Sequence, residues 1–158
     1  MKIQLWTLEK PGKNDFKESI QDYAQRINRY SSFEIKILDN SKLASTKSSI
    51  EEIKRKEWAL VEKNLKPNDY VVLLDERAKE LRSTQLAEQI NQWQIANKTK
   101  VIFLIAGAFG PSYALRNRAN YTLALSKLTM PHRIVKLVIS EQIYRAFSIL
   151  NGEKYHHD

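Results

Sequence analysis

The chain has no cysteine among its 158 residues. That removes disulfides, thiolate nucleophiles and cysteine-bound zinc in one step, and it suits a cytoplasmic setting. Histidine is scarce: His132, His156 and His157 are the only three. Adjacent side chains rarely point at one ion, so His156, His157 and Asp158 are not expected to form a metal site. Glycine is equally sparse. The four present cannot spell a G-x-G-x-x-G or a P-loop, so the usual nucleotide fingerprints are excluded. No apolar run reaches about 18 residues, so no membrane span is expected. Met1 to Trp6 carries a charge with no apolar signal region behind it, so secretion is not expected either.

What is present describes a globular protein. Hydrophobic residues make up 42%, enough for a packed core. The length points to one domain over residues 1–158. The net charge of +8 points to a polyanionic partner, most simply nucleic acid. Residues 111–158 hold seven lysines and arginines against three acids, so half of the excess sits in the last third of the chain.

Strand and helix patterns alternate along the sequence. Lys2 to Leu8, Phe33 to Leu38, Tyr70 to Leu74, Val101 to Ala106 and Tyr121 to Leu125 read as strands. Tyr70–Leu74 and Val101–Ala106 are continuously apolar, as expected of central parallel strands covered on both faces. Spacings of three and four predict helices over residues 15–30, 49–65, 83–97 and 134–150, with a short one from Pro111 to Asn117. Ile50 and Ile95 are expected on inner helix faces, and Ser83-Thr84 is expected to cap its helix. The order predicts an α/β fold with a mostly parallel, doubly wound sheet. Ligands of such sheets sit beyond the carboxyl ends of the strands. Leu74-Asp75-Glu76, Gly107 to Gly110 and Ser126 to Pro131 all end there.

The last of these segments organises the chain. Leu125 to Arg133 is a polar turn between a short strand and a long apolar helix. Pro131 suits the first helical position, and Thr129 is a plausible cap. A polar loop feeding a buried helix start can receive a polar or anionic ligand, or can be an ordinary connection. Gly107 and Gly110 allow a close backbone approach or a turn with positive φ. The last helix is apolar on most of its circumference, which fits a central core helix or a subunit interface. Glu141 and Arg145, four apart, can pair along it. In the tail, Gly152 suits a helix stop, Tyr155 could stack on a base, and His156 could contact phosphate or carry a proton.

Three motifs carry a resemblance: Leu125-Ser126-Lys127-Leu128-Thr129-Met130-Pro131-His132, Glu141-Gln142-Ile143-Tyr144-Arg145-Ala146-Phe147 and Gly152-Glu153-Lys154-Tyr155-His156. Together they resemble the ribosomal RNA large subunit methyltransferase H family of the SPOUT class. The resemblance implies a C-terminal trefoil knot, a homodimer and a cytoplasmic enzyme acting on assembled ribosomes. The implied reaction moves a methyl group from S-adenosylmethionine to N3 of a pseudouridine in 23S ribosomal RNA. By the family's pattern Leu74, Gly107 and Ser126, Lys127, Leu128, Thr129, Met130 and Pro131 hold the cofactor. Glu141, Arg145, Tyr155, His156 and His132 are the catalytic or RNA-side candidates. No metal is implied. Two departures motivate an alternative, a non-catalytic RNA-binding protein that retains the fold. Ala106 stands where the family has the first of two glycines, and Ala108-Phe109 replaces more polar residues.

Overall fold

From the second residue onward the chain is apolar on both sides of a pleat, Ile3 and Leu5 on one and Trp6 and Leu8 on the other, and β1 forms there, over Lys2–Leu8. The computed structural model describes residues 1–157. In it β1 is followed by α1 (Lys17–Ile27), β2 (Phe33–Leu38), α2 (Ile50–Asn64), β3 (Tyr70–Leu74) and α3 (Ser83–Ile95). Then come β4 (Lys100–Ile105), α4 (Tyr113–Arg118), β5 (Tyr121–Leu123) and α5 (His132–Leu150). Every strand pairing is parallel, in the order β2-β1-β4-β3-β5. The expected doubly wound parallel sheet is therefore the one that forms.

Alternation within each strand decides which helix covers it. Ile3, Leu5, Val101 and Phe103 point to a layer made by α1, α3 and α5. Trp6, Leu8, Ile102 and Leu104 point to the opposite layer, made by α2 and α4. With both faces dry, continuous apolar runs cost nothing in exposure. Trp93 anchors the first layer, with ring centroids of Tyr70, Phe103 and Tyr121 at 5.5, 5.9 and 5.6 Å.

Helix ends follow local hydrogen bonding, and three expectations change. Ser49 caps α2 as a capping box: its Oγ accepts from the Glu52 N–H at 3.2 Å, and Glu52 accepts in return. Ser83 does not cap α3. Its hydroxyl donates to Gln142 Oε1 at 2.7 Å, tying α3 to α5, while Gln85 Oε1 accepts from the Arg82 N–H at 2.9 Å. Thr129 does not cap α5 either. That helix starts at His132, two residues before the expected 134, with Pro131 at the N-cap and not the first helical position, and with no side-chain cap. Ile50 and Ile95 are half exposed or more, because each lies at a helix end beyond the covered face. At the far end of α5, Gly152 takes φ +67°, and the Glu153 N–H reaches the Ser148 carbonyl at 2.9 Å. This is a Schellman stop, and it turns the tail back along the helix.

The Trp93 cluster gives a stability prediction. Trp93→Ala should lose about 3–5 kcal/mol of unfolding free energy in urea titrations. Ile95→Ser, two residues on but exposed, should stay within about 0.5 kcal/mol of wild type. A mild effect at Trp93 would mean that the cluster is not where the core is anchored.

Candidate active site

Parallel strands all end on one edge, and the loops leaving that edge enclose the main cavity, of about 790 Å³. Its lining comes after β1 (Glu9), β3 (Leu74 to Arg77), β4 (Ala106 to Pro111) and β5 (Leu125 to Arg133). Of the residues expected to hold a cofactor, Leu74, Gly107, Ser126, Leu128, Thr129, Met130 and Pro131 line it. Lys127 does not, although it is exposed in the same loop. Ser126 Oγ accepts from the Leu128 N–H at 3.0 Å and shapes the turn. Gly110, at φ +79°, closes the β4 loop with its N–H on the Gly107 carbonyl at 2.9 Å.

His132 belongs to this cavity. Its Nδ1 lies 3.8 Å from Glu9 Oε2, and the nearby Ala106 backbone also favours its charged form. Lys136, one turn further along α5, is buried and paired with Glu9. The end of β1, the end of β4 and the start of α5 are thereby joined by one polar chain. Burial holds the His132 imidazole below its usual range, with Glu9 pulling the other way. Ala106 packs beside Trp6 and Leu104 in the core cluster, and the cavity remains open next to it. Phe109 lines the mouth and is 50% exposed, so its ring stands beside the opening and does not close it.

The remaining candidates lie elsewhere. None of Glu141, Arg145, Tyr155 and His156 lines the cavity. Arg145 is 13 residues along α5 from His132, about 20 Å at the helical rise. These four form a cluster of their own. Glu141 Oε1 accepts from Arg145 Nη2 at 2.6 Å, Arg145 Nε at 2.9 Å and the Tyr155 hydroxyl at 3.1 Å. Arg145 also lies over the Tyr155 ring at 4.8 Å, and Tyr155 meets Tyr144 edge-on at 4.7 Å. Burial, with Tyr23 and Glu141 adding to it, pushes the Tyr155 phenol well up, so it stays protonated at neutral pH. Arg145 Nη1 lies 3.2 Å from His156 Nδ1. A guanidinium only donates, so Nδ1 accepts, and a neutral His156 carries its proton on Nε2. Asp158, the last of the tail residues weighed for a metal, lies outside the described residues.

Sequence reading missed Glu9, Arg77 and Arg116 as lining residues. Glu9 follows β1 directly, so the rule about strand ends applied to it. Arg116 could not be foreseen. It reaches back from α4 to Asp75 at 3.0 Å, a contact set by packing alone.

Comparison with known proteins agrees with this geometry. A family model described as "Predicted SPOUT methyltransferase" matches residues 1–156. The chain belongs to the SPOUT methyltransferase family. Its relatives include proteins named ribosomal RNA large subunit methyltransferase H. That of Cytophaga hutchinsonii is 40% identical, covering 99% of this chain and all of that one. Those of Parabacteroides distasonis (37%) and Acetivibrio thermocellus (36%) match over 99–100% of both chains. A solved structure of a probable methylase family protein from Haemophilus influenzae Rd KW20 is similar in fold. Its TM-score is 0.53 at 15% identity, over 99% of this chain and 70% of that one. Among the described residues no helix is long and apolar enough to cross a membrane.

His132 generates a pH prediction. An imidazole that protonates less readily when folded stabilises the protein fully above its unfolded value, near pH 6.5, and loses that contribution as pH falls from there towards the folded value. Urea-unfolding free energy should decline as pH falls below about 6.5, and His132→Asn should flatten that decline. An unchanged slope in the variant would assign the effect to other groups.

Proposed function

We propose that the chain is a single domain over residues 1–158 that methylates N3 of a pseudouridine in 23S ribosomal RNA on the assembled ribosome. In this reading it works in the cytoplasm as a homodimer, and the family's trefoil knot forms its C-terminal half. The observation that carries the reading is the cavity at the strand ends, floored by Gly107 and walled by residues 126–131, in a chain of this family. The cavity fits S-adenosylmethionine in kind. Leu74, Ile105, Leu128 and Met130 offer an apolar wall for a purine, Ser126 and Thr129 offer hydroxyls, and Glu76 offers a carboxylate to a cationic ligand, while those of Glu9 and Asp75 are engaged by Lys136 and Arg116. When bound, this donor supplies an electrophilic methyl group on a sulfonium.

The N3–H of a uracil-type base is weakly acidic and must be lost for N3 to attack. The guanidinium of Arg145, held by Glu141, is suited to stabilising the anion that develops on the base. Tyr155 keeps its proton, so it is not the base that takes the N3 proton. His132 and His156 are the imidazoles available to the departing proton. Placing the two reactants together supplies much of the rate. Within one chain the Arg145 cluster lies too far from the cavity to serve it. A second copy, packed along the half-exposed Ile134, Leu137 and Val138 of α5, would bring its own cluster to the mouth.

The test is transfer of labelled methyl groups to ribosomes that lack the modification, with the product nucleoside identified by mass spectrometry. Labelled 3-methylpseudouridine is expected; ribosome binding without label would support a non-catalytic RNA-binding protein instead. Arg145→Ala should lower turnover by about 100-fold or more, the range of a lost electrostatic stabiliser, and leave donor affinity within about twofold. Near-normal turnover would remove Arg145 from the reaction.

A further inference from the structure

Gly107 has an ordinary backbone conformation, so a positive φ does not explain a glycine there. What surrounds it does. A Cβ built on Gly107 would fall 2.5 Å from Cδ of Glu57 and closer still to both carboxylate oxygens. The crowding therefore comes from within the protein. Glu57 is buried on α2, one turn before Val61, among residues that are otherwise apolar. Asn40 Nδ2 donates to its Oε1 at 2.8 Å, and the same nitrogen lies 3.5 Å from the Leu8 carbonyl. Burial pushes the Glu57 carboxyl up, against the pull of Asn40 and of Lys54. A buried carboxyl group is costly unless it is hydrogen-bonded, and the Asn40 amide supplies such a bond. Here it links the end of β1, through Asn40, to the turn after β4. Glu57 itself does not line the cavity; Gly107 does.

From this juxtaposition we infer that Glu57 is a positioning residue for the methyl donor. Its carboxyl group, braced by Asn40, is the surface on which the Gly107 turn rests, and it fixes the cavity floor where the donor binds. The inference rests on the proposed donor site. It assigns the requirement for glycine at residue 107 to Glu57, behind the turn, and not to the ligand in front of it. A floor held in place before binding spares the donor the loss of ordering it, so loosening the floor weakens affinity.

A double-mutant cycle, read by calorimetric titration with S-adenosylmethionine and by thermal unfolding, tests this. Wild type is expected to bind. Glu57→Gln, which keeps the shape and the Asn40 bond, should bind within about twofold of wild type. Glu57→Ala should weaken the donor by about tenfold, a modest loss of preorganisation. Gly107→Ala should weaken it by about 30-fold or more and lower the melting temperature, because the new methyl meets the carboxyl group. Adding Glu57→Ala to Gly107→Ala should restore both affinity and melting temperature to near the values of Glu57→Ala alone, a coupling typical of residues in contact. If the double variant binds no better than Gly107→Ala while wild type binds well, the glycine is required by the ligand and the inference is wrong. Wild-type affinity in Glu57→Ala would also overturn it. No binding by wild type would instead overturn the donor-site reading, and the inference with it.

Discussion

A buried ammonium is hard to accommodate, and the start of α5 is built around one. Lys136 is almost fully buried, and Glu9 at the end of β1 is its ion-pair partner. Removing a partner from such a pair leaves an uncompensated charge in a dry interior, which costs several kcal/mol. The pair therefore limits where α5 can begin relative to β1. His132, reaching both Glu9 and the Ala106 backbone, carries the same constraint to the neighbouring strand end. Cavity width between the β4 turn and the 126–131 loop follows from these contacts. A pair of apolar residues could have packed as stably there, but it would not fix the angle at which the helix leaves the sheet.

The sheet was legible because its strands are read twice, by composition and by alternation. Tyr70–Leu74 and Phe33–Leu38 were placed to the residue. Helix ends were less legible, because capping is decided by whatever hydroxyl or amide is nearest in three dimensions. Ser83 looks like a cap in sequence, yet it serves Gln142 on α5. The cavity was legible through one rule, that loops at the carboxyl ends of parallel strands meet. That rule collected Leu74, Gly107 and the 126–131 loop, and it would have collected Glu9 had it been applied to β1. Lys127 shows the limit of reading a motif as a block: it shares the loop but is not among the residues that line the cavity.

The second half of the site was legible as a group but not in its place. The motif residues Glu141, Arg145, Tyr155 and His156 do come together, since the Schellman stop at Gly152 folds the tail back on α5. They do not come together with the cavity. A sequence gives no measure of the length of a helix between two motifs beyond its residue count, and 13 residues of α5 separate His132 from Arg145 by about 20 Å. Chemistry that needs both groups needs a second chain or a different arrangement of this one.

Scarcity of glycine ties these points together. A phosphate-binding loop uses several glycines so that backbone N–H groups can face a ligand. This cavity spends one on a positive φ, at Gly110, and one on contact with a side chain, at Gly107. Most of the remaining lining is ordinary side chains on strand ends and a long loop. Charged side chains of both signs, among them Asp75, Glu76, Arg77 and Arg116, stand in that lining beside the apolar wall. The floor also depends on what lies beneath it. A glycine adjoining a ligand invites the explanation that the ligand needs the space. Where the missing methyl would point into the protein, the explanation belongs to the residue behind, and at Gly107 that residue is Glu57.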